Sequence, residues 1–319
     1  MKYSLSGEKV ATREAYGKDL AELGANYENV VVLDADLAAA TKTSYFKKAF
    51  PDRFYDCGIA EGNMVAVAAG LSTMGKIPFA SSFAMFLAGR AFEQVRNCIG
   101  YPHLNVKLGA THGGITVGED GATHQCLEDF GTMRTIPGMT VICPSDATSS
   151  YACVEAAIRM NGPVYMRFGR YAVPTLYAKE DLKFEIGKGI SLVEGTDVTL
   201  IANGVMVEQA LLAAESLKAD GISAAVVDMH TIKPIDRDLI VSAAQKTGAI
   251  VTAEEHNVIG GLGSAVGEVL CETVPVPMLR VGVEDQFGRS GKVPPLMERY
   301  GLTAANIAAK AKAAIAMKK

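Results

Sequence analysis

A chain of 319 residues is long enough for two domains rather than one ordinary core. Hydrophobic residues at 49% and charged residues at 21% describe a folded globular protein and exclude extended disorder. A formal net charge of −4 with the signs interspersed excludes a nucleic-acid arm and a polybasic membrane patch, and no apolar run approaches the roughly 20 residues that span a bilayer. The opening MKYSLSGEKVATREAYG has no basic head followed by an apolar core, so no secretory signal is expected. Cys57, Cys98, Cys126, Cys143, Cys153 and Cys271 are scattered without a CxxC pair, which reads as small buried side chains in a reducing, cytoplasmic setting.

In chain order, Val30–Leu33 is a buried-strand run and 63–74 (NMVAVAAGLSTM) has helix composition. Ile77–Ala80 reads as strand and 87–99 as an amphipathic helix. Val106–Ala110, Val141–Cys143 and Val164–Arg167 supply further strands, with a helix over 148–160 before the last. Periodicity lapses over 174–188, a charged stretch carrying a proline and a glycine. The pattern then restarts: strand 198–202, helix 207–219, strand 224–227, helix 238–246, strand 249–253, a helix from Gly261-Leu262-Gly263 to about Cys271, and an Ala/Lys-rich helix at the end. Strand–helix alternation of this kind predicts two doubly wound α/β domains with mostly parallel sheets, at 1–178 and 187–319.

Ligands in such sheets sit beyond the carboxyl ends of the strands. That rule points to three loops, Gly58–Asn63, Ser81–Phe86 and His112–His124. On residue type alone, Glu61 is a first-turn carboxylate favoured by the helix dipole. Held in apolar surroundings, it is also suited to sharing a proton with a ligand nitrogen. The loop Thr111-His112-Gly113-Gly114-Ile115-Thr116-Val117-Gly118-Glu119-Asp120-Gly121-Ala122-Thr123-His124-Gln125 concentrates two histidines, an acid pair and four glycines. Glycines let backbone approach a ligand, and flanking histidines suit proton transfer to and from hydroxyls. No HxH or HxxxH spacing is present there, so no metal site is read.

Gly118-Glu119-Asp120-Gly121-Ala122-Thr123-His124-Gln125, continuing to Arg134, resembles the pyrimidine-binding domain of the transketolases. Ile59-Ala60-Glu61-Gly62-Asn63-Met64, Ala11-Thr12-Arg13, Ile136-Pro137-Gly138-Met139 and Pro144-Ser145-Asp146 are similar to stretches of the same family. The run 228–236 (DMHTIKPID) and Glu254-Glu255-His256 through Gly260-Gly261-Leu262-Gly263 look like its C-terminal domain. Nearly the whole chain is covered.

The resemblance implies that Glu61 hydrogen-bonds N1′ of the aminopyrimidine of thiamine diphosphate, favouring the imino form of its 4′-amino group. It implies that Phe83 and Phe86 pack on that ring, and that His112 and His124 face the donor's hydroxyls and reacting carbon. It gives Asp120 the donor's α-hydroxyl, and Arg13 and Arg167 the sugar phosphate, with Arg170 an alternative to Arg167. His230 and His256 are expected to pack or line an interface, and His103 to lie on the surface.

The Gly-Asp-Gly segment that in this family helps hold the diphosphate and its Mg2+ or similar divalent ion is absent from this sequence. The resemblance therefore implies an N-terminal partner subunit that carries it, and a self-dimer within a heterotetramer acting on sugar phosphates. Alone, the chain is expected to be largely inactive.

Three positions depart from the family pattern: Gly113-Gly114 in place of Asp-Ser, Cys126 in place of a proline or small residue, and Ala40 in place of a phosphate-binding serine. The last points to an altered acceptor. A 2-oxoacid dehydrogenase β subunit and a deoxyxylulose-phosphate synthase-like enzyme are the alternatives within thiamine chemistry. Both loop histidines speak against the first and Glu119 against the second. A scaffold subunit without chemistry is disfavoured by the retained Glu61.

Overall fold

The computed structural model describes residues 3–318; the expected domain spans and terminal helix also include residues 1, 2 and 319, which lie outside the described residues. A seven-stranded sheet runs in the order Thr231–Lys233, Thr140–Ile142, Val164–Phe168, Lys107–Thr111, Ile77–Phe83, Val30–Asp34, Phe54–Asp56. Every neighbouring pair is parallel except the first. The four central strands are buried at every residue, which is why they read as apolar-rich runs rather than alternating ones. Tyr16, Leu20 and Leu23 of the helix Thr12–Gly24 and Val154 of Ala147–Arg159 cover one face. Met64, Val65 and Ala68 of the helix Glu61–Thr73 cover the other.

The second sheet has five strands in the order Met278–Val283, Ile250–Asn257, Val198–Ala202, Ala224–Asp228, Ile190–Val193, parallel except for the last. Helices Met206–Ala219 and Ala304–Ala316 pack on one side, Arg237–Thr247 and Leu262–Glu272 on the other. Both halves are thus the expected layered α/β folds, and no helix or strand lies between Pro174 and Ile190.

The structure differs from the sequence reading in several places, of which these bear on the site and the join between the halves. The helix Thr12–Gly24 and the strands Thr231–Lys233, Ile190–Val193 and Met278–Val283 add to the expected elements. Thr231–Lys233 belongs to the second segment yet closes the edge of the first sheet, on Thr140–Ile142. Residues expected to form one amphipathic α-helix instead form a π turn Phe86–Arg90, a short α turn Phe92–Gln94 and a second π turn Val95–Gly100. Each π turn adds a residue per turn, so side chains after Phe86 leave the register that α-helical spacing predicts.

Phe83, Thr111 and Phe168 lie abreast at the carboxyl ends of adjacent strands. With Asp56, Asp34 and Ser81 likewise abreast on their neighbouring parallel strands, the three candidate loops leave the same edge. Among the described residues no helix is long and apolar enough to cross a membrane. All six cysteines are free.

Candidate active site

Glu61 is the first residue of its helix and is 1% exposed. Its two carboxylate oxygens accept from one guanidinium nitrogen of Arg90 at 3.2 and 3.0 Å. The same guanidinium lies 4.3 Å from the centre of the Phe86 ring. Phe86 stacks on Phe83 at 5.6 Å with 14° between the planes. A buried carboxylate therefore stands beside an aromatic platform, with a planar cation spanning the two. A flat, N–H-donating heterocycle would satisfy the same partners, so these residues fit an aminopyrimidine.

His112 follows the strand Lys107–Thr111 directly and adopts φ 57°. Its ring stacks on Phe83 at 3.8 Å. Arg13, always a donor, gives a hydrogen bond to His112 Nε2 at 2.9 Å. The proton must then sit on Nδ1, where it is donated to the Thr111 hydroxyl at 2.9 Å. Burial, followed by the charges of Arg13 and Arg170, pushes the His112 pKa down to about 3, so the ring is neutral. His124 is half-buried, presents its ring edge-on to Phe86 at 5.5 Å and to Phe83 at 6.1 Å, and shares a 3.0 Å hydrogen bond with Thr123.

Arg13 also donates to the Ala40 carbonyl at 2.8 Å, while its Nε is buried without a partner. Burial and then the Arg170 charge lower the Arg13 pKa, against the opposing pull of Glu14 and Asp120. Two guanidiniums this close, one with an unused donor, favour a bound anion. Asp120 is exposed at the end of the 3-10 segment Ile115–Asp120. Arg170 donates to the Val117 carbonyl and lies 3.6 Å from Glu119.

Arg167 lies apart from this group. It is 3% exposed, with Nε 3.2 Å from the Asp129 carboxylate and a terminal nitrogen donating to the Cys126 and Glu255 carbonyls at 2.9 Å each. Its ring-facing side covers Phe130 at 4.5 Å. These contacts make it a support beneath the loop rather than a group open to ligand. The signal separating the two arginines was available: the strand ends at Phe168, so Arg170 alone lies beyond its carboxyl end.

The second domain props the loop. Glu255 accepts from the Thr116 backbone N–H at 2.7 Å, and the Ser290 hydroxyl donates to the Glu119 carbonyl at 2.6 Å. Buried Gln125 donates to the carbonyls of Ile115, Gly118 and Arg289. Gly114, at φ 81°, lies so close to the Glu255 carboxylate that any Cβ there would overlap it. Gly113 is held in the same way against Arg167. The Gly-Gly departure in the sequence is thus fitted to Glu255 and Arg167. His230 and His256 are buried, stacked on Phe184 and Phe130 respectively, and His103 is exposed. Sequence reasoning missed Arg90, and gave Glu255 no part in the site beyond its motif.

The family model "Transketolase, pyrimidine binding domain" matches residues 8–175, and "Transketolase, C-terminal domain" matches residues 187–307. A protein of Methanocaldococcus jannaschii named "Putative transketolase C-terminal section" is 51% identical over 306 residues, 95% of this chain and 96% of its own. The "6-deoxy-6-sulfo-D-fructose transketolase subunit SqwH" of a Clostridium species is 46% identical over 295 residues, 92% of this chain and 91% of its own. A solved structure described as "Split gene transketolase, inactive beta4 tetramer" is 55% identical and superposes with a TM-score of 0.91, covering 97% of this chain and 100% of that one. With the two domain models together matching most of the chain and such relatives aligned over nearly their full length, the chain belongs to the transketolase family, as a C-terminal section.

Proposed function

We propose that this chain is the β subunit of a split transketolase, moving a two-carbon ketol unit between sugar phosphates in company with an N-terminal subunit. The observation that carries the reading is Glu61, a carboxylate 1% exposed at a helix start, linked through Arg90 to the Phe86 face. Thiamine diphosphate, when bound, supplies the electron sink that lets a carbon–carbon bond beside a carbonyl break. Glu61 would hold a proton at the ring's N1′, and Phe83 and Phe86 would pack on the ring. Neutral His112 and half-buried His124 would exchange protons with the donor's hydroxyls. Asp120 would orient the α-hydroxyl, and Arg13 with Arg170 would bind the phosphate.

The N-terminal subunit would hold the diphosphate and its divalent ion. Exposed apolar side chains near the site support a covering subunit: Ile59 just before Glu61, Val67 on the outer side of the same helix, and Phe287 beside a cleft of about 470 Å3 that Met85, Thr123 and Leu127 also line. Two copies of each subunit, in the cytoplasm and active only together, complete the proposal.

The test mixes this chain and the N-terminal subunit with xylulose 5-phosphate and ribose 5-phosphate and follows sedoheptulose 7-phosphate. Turnover with pyruvate in place of a ketose overturns the reading. The panel includes 6-deoxy-6-sulfo-D-fructose, named for the Clostridium relative, because Ala40 offers no hydroxyl for a phosphate and gives Arg13 only its backbone carbonyl. Glu61→Ala should lower turnover at least about 100-fold while leaving the complex assembled by sedimentation. Unchanged turnover points to a scaffold instead.

A further inference from the structure

The Arg90 side chain satisfies the two groups that the proposed function assigns to the aminopyrimidine. It gives hydrogen bonds to both Glu61 oxygens, at 3.0 and 3.2 Å, and holds its guanidinium carbon over the Phe86 ring, 4.3 Å from the centre. A guanidinium and an aminopyrimidine protonated at its ring nitrogen share the relevant chemistry: each is flat, cationic and an N–H donor. We infer that Arg90 is a resident stand-in for the cofactor ring, so that thiamine diphosphate binds by displacing it. The inference rests on the functional reading above.

Three features make this more than a surface ion pair. Glu61 is 1% exposed, whereas the Arg90 side chain is 52% exposed, so the carboxylate is fixed and the arginine is free to swing outward. The contact neutralises a carboxylate that would otherwise stand buried without a countercharge. Arg90 also ends the π turn Phe86–Arg90, whose extra residue carries it off α-helical register, and Gly89 precedes it. Turns of this kind recur at functional sites. The exposed position leaves solvent room for the displaced side chain.

The chain therefore has two states, one with Arg90 on Glu61 and one with the carboxylate released. Only the second takes the cofactor. Apparent affinity is reduced by the fraction of molecules in the closed state, and removing the stand-in restores it. The closed state also protects an isolated subunit from leaving a bare buried carboxylate.

The experiment measures thiamine diphosphate binding to the complex of this chain with its N-terminal subunit, by titration calorimetry and by cofactor-induced thermal shift. Arg90→Ala should tighten the cofactor Kd roughly tenfold. It should enlarge the thermal shift, because the cofactor now rescues an uncompensated Glu61. The KM for cofactor should fall while the KM for sugar phosphate stays unchanged. Arg90→Lys, which keeps the charge and loses the plane, should lie between; Arg90→Gln, with a planar donor and no charge, serves if the alanine variant fails to fold. Equal or weaker cofactor binding in the variants, with wild-type binding intact, overturns this inference alone. A wild-type complex that shows no affinity for thiamine diphosphate overturns the functional reading and this inference with it.

Discussion

Glu255 and Thr116 stand 139 residues apart in sequence, yet the Glu255 carboxylate accepts the Thr116 backbone N–H at 2.7 Å. The same side chain borders Gly114 and carries charge opposite Arg167, so one carboxylate of the second domain fixes the backbone that follows His112. The second domain therefore sets the geometry of a loop it does not contain.

Glu255→Ala should destabilise the protein by about 1–3 kcal/mol, because it leaves the buried Thr116 N–H without its acceptor and removes a charge that favours buried Arg167. Glu255→Gln keeps an acceptor for Thr116 and should cost less. Urea unfolding supplies both values. Equal stability in the alanine variant and the wild type would show that the loop is held by other means.

Arg170 and Arg167 should separate cleanly. Arg170→Ala should raise the KM for sugar phosphate by roughly tenfold or more and leave stability within about 0.5 kcal/mol. Arg167→Ala should lower stability by about 3–5 kcal/mol, since it abandons the Asp129 carboxylate in the interior. Steady-state kinetics alongside unfolding curves decide the matter, and a reversed pattern would return the phosphate to Arg167.

His112 should stay neutral throughout the physiological range. With burial and Arg13 holding its pKa down to about 3, its ring NMR signals should not inflect between about pH 5 and 8. Arg13→Met removes a depressing charge and should move the pKa upward. Because the folded value lies below the unfolded one, the unfolded chain binds more protons between them, and this residue contributes stability that is lost as pH falls towards 3.

Asp19 predicts the opposite slope. It is buried between the helices Thr12–Gly24 and Ala147–Arg159, accepts from Ser150 at 2.8 Å, and burial pushes its pKa up to about 8. Between the unfolded value near 3.8 and the folded one, the native state holds the extra proton, so stability falls as pH rises through that window. Asp34 and Asp228, raised by burial to about 6 and about 7, act in the same direction. Asp19→Asn should flatten the decline in urea midpoint between about pH 5 and 8, with each shifted unit worth up to about 1.4 kcal/mol. An unaltered slope would remove Asp19 from the account.

The strands were legible because parallel, doubly covered strands are buried at every position and so rich in apolar residues, as Val30–Leu33 and Leu200–Ala202 are. The helix Thr12–Gly24 was not, because Thr12 and Asp19 put polar groups on its buried face and Gly17 and Gly24 interrupt it. Those glycines answer to packing: Gly17 abuts the Lys42 backbone and Gly24 the Phe46 and Phe50 rings. Glu61 and the loop histidines were found through motif, and the structure sets Glu61 beside the Phe83–Phe86 pair that His112 and His124 also flank. Arg90 was hidden by the assumption of α-helical spacing, which the two π turns violate. Glu255 was hidden because nothing local ties it to a loop so far upstream.

The strand Thr231–Lys233 has a consequence for anyone cutting the molecule. A protease acting in the stretch after Pro174 would nick the chain without parting it, since the downstream piece would still be laced into the upstream sheet. A fragment ending there would expose the Thr140–Ile142 edge as a row of unpaired N–H and C=O groups, a surface that recruits other strands and clumps. The two halves are distinct in sequence, but they are not separable pieces.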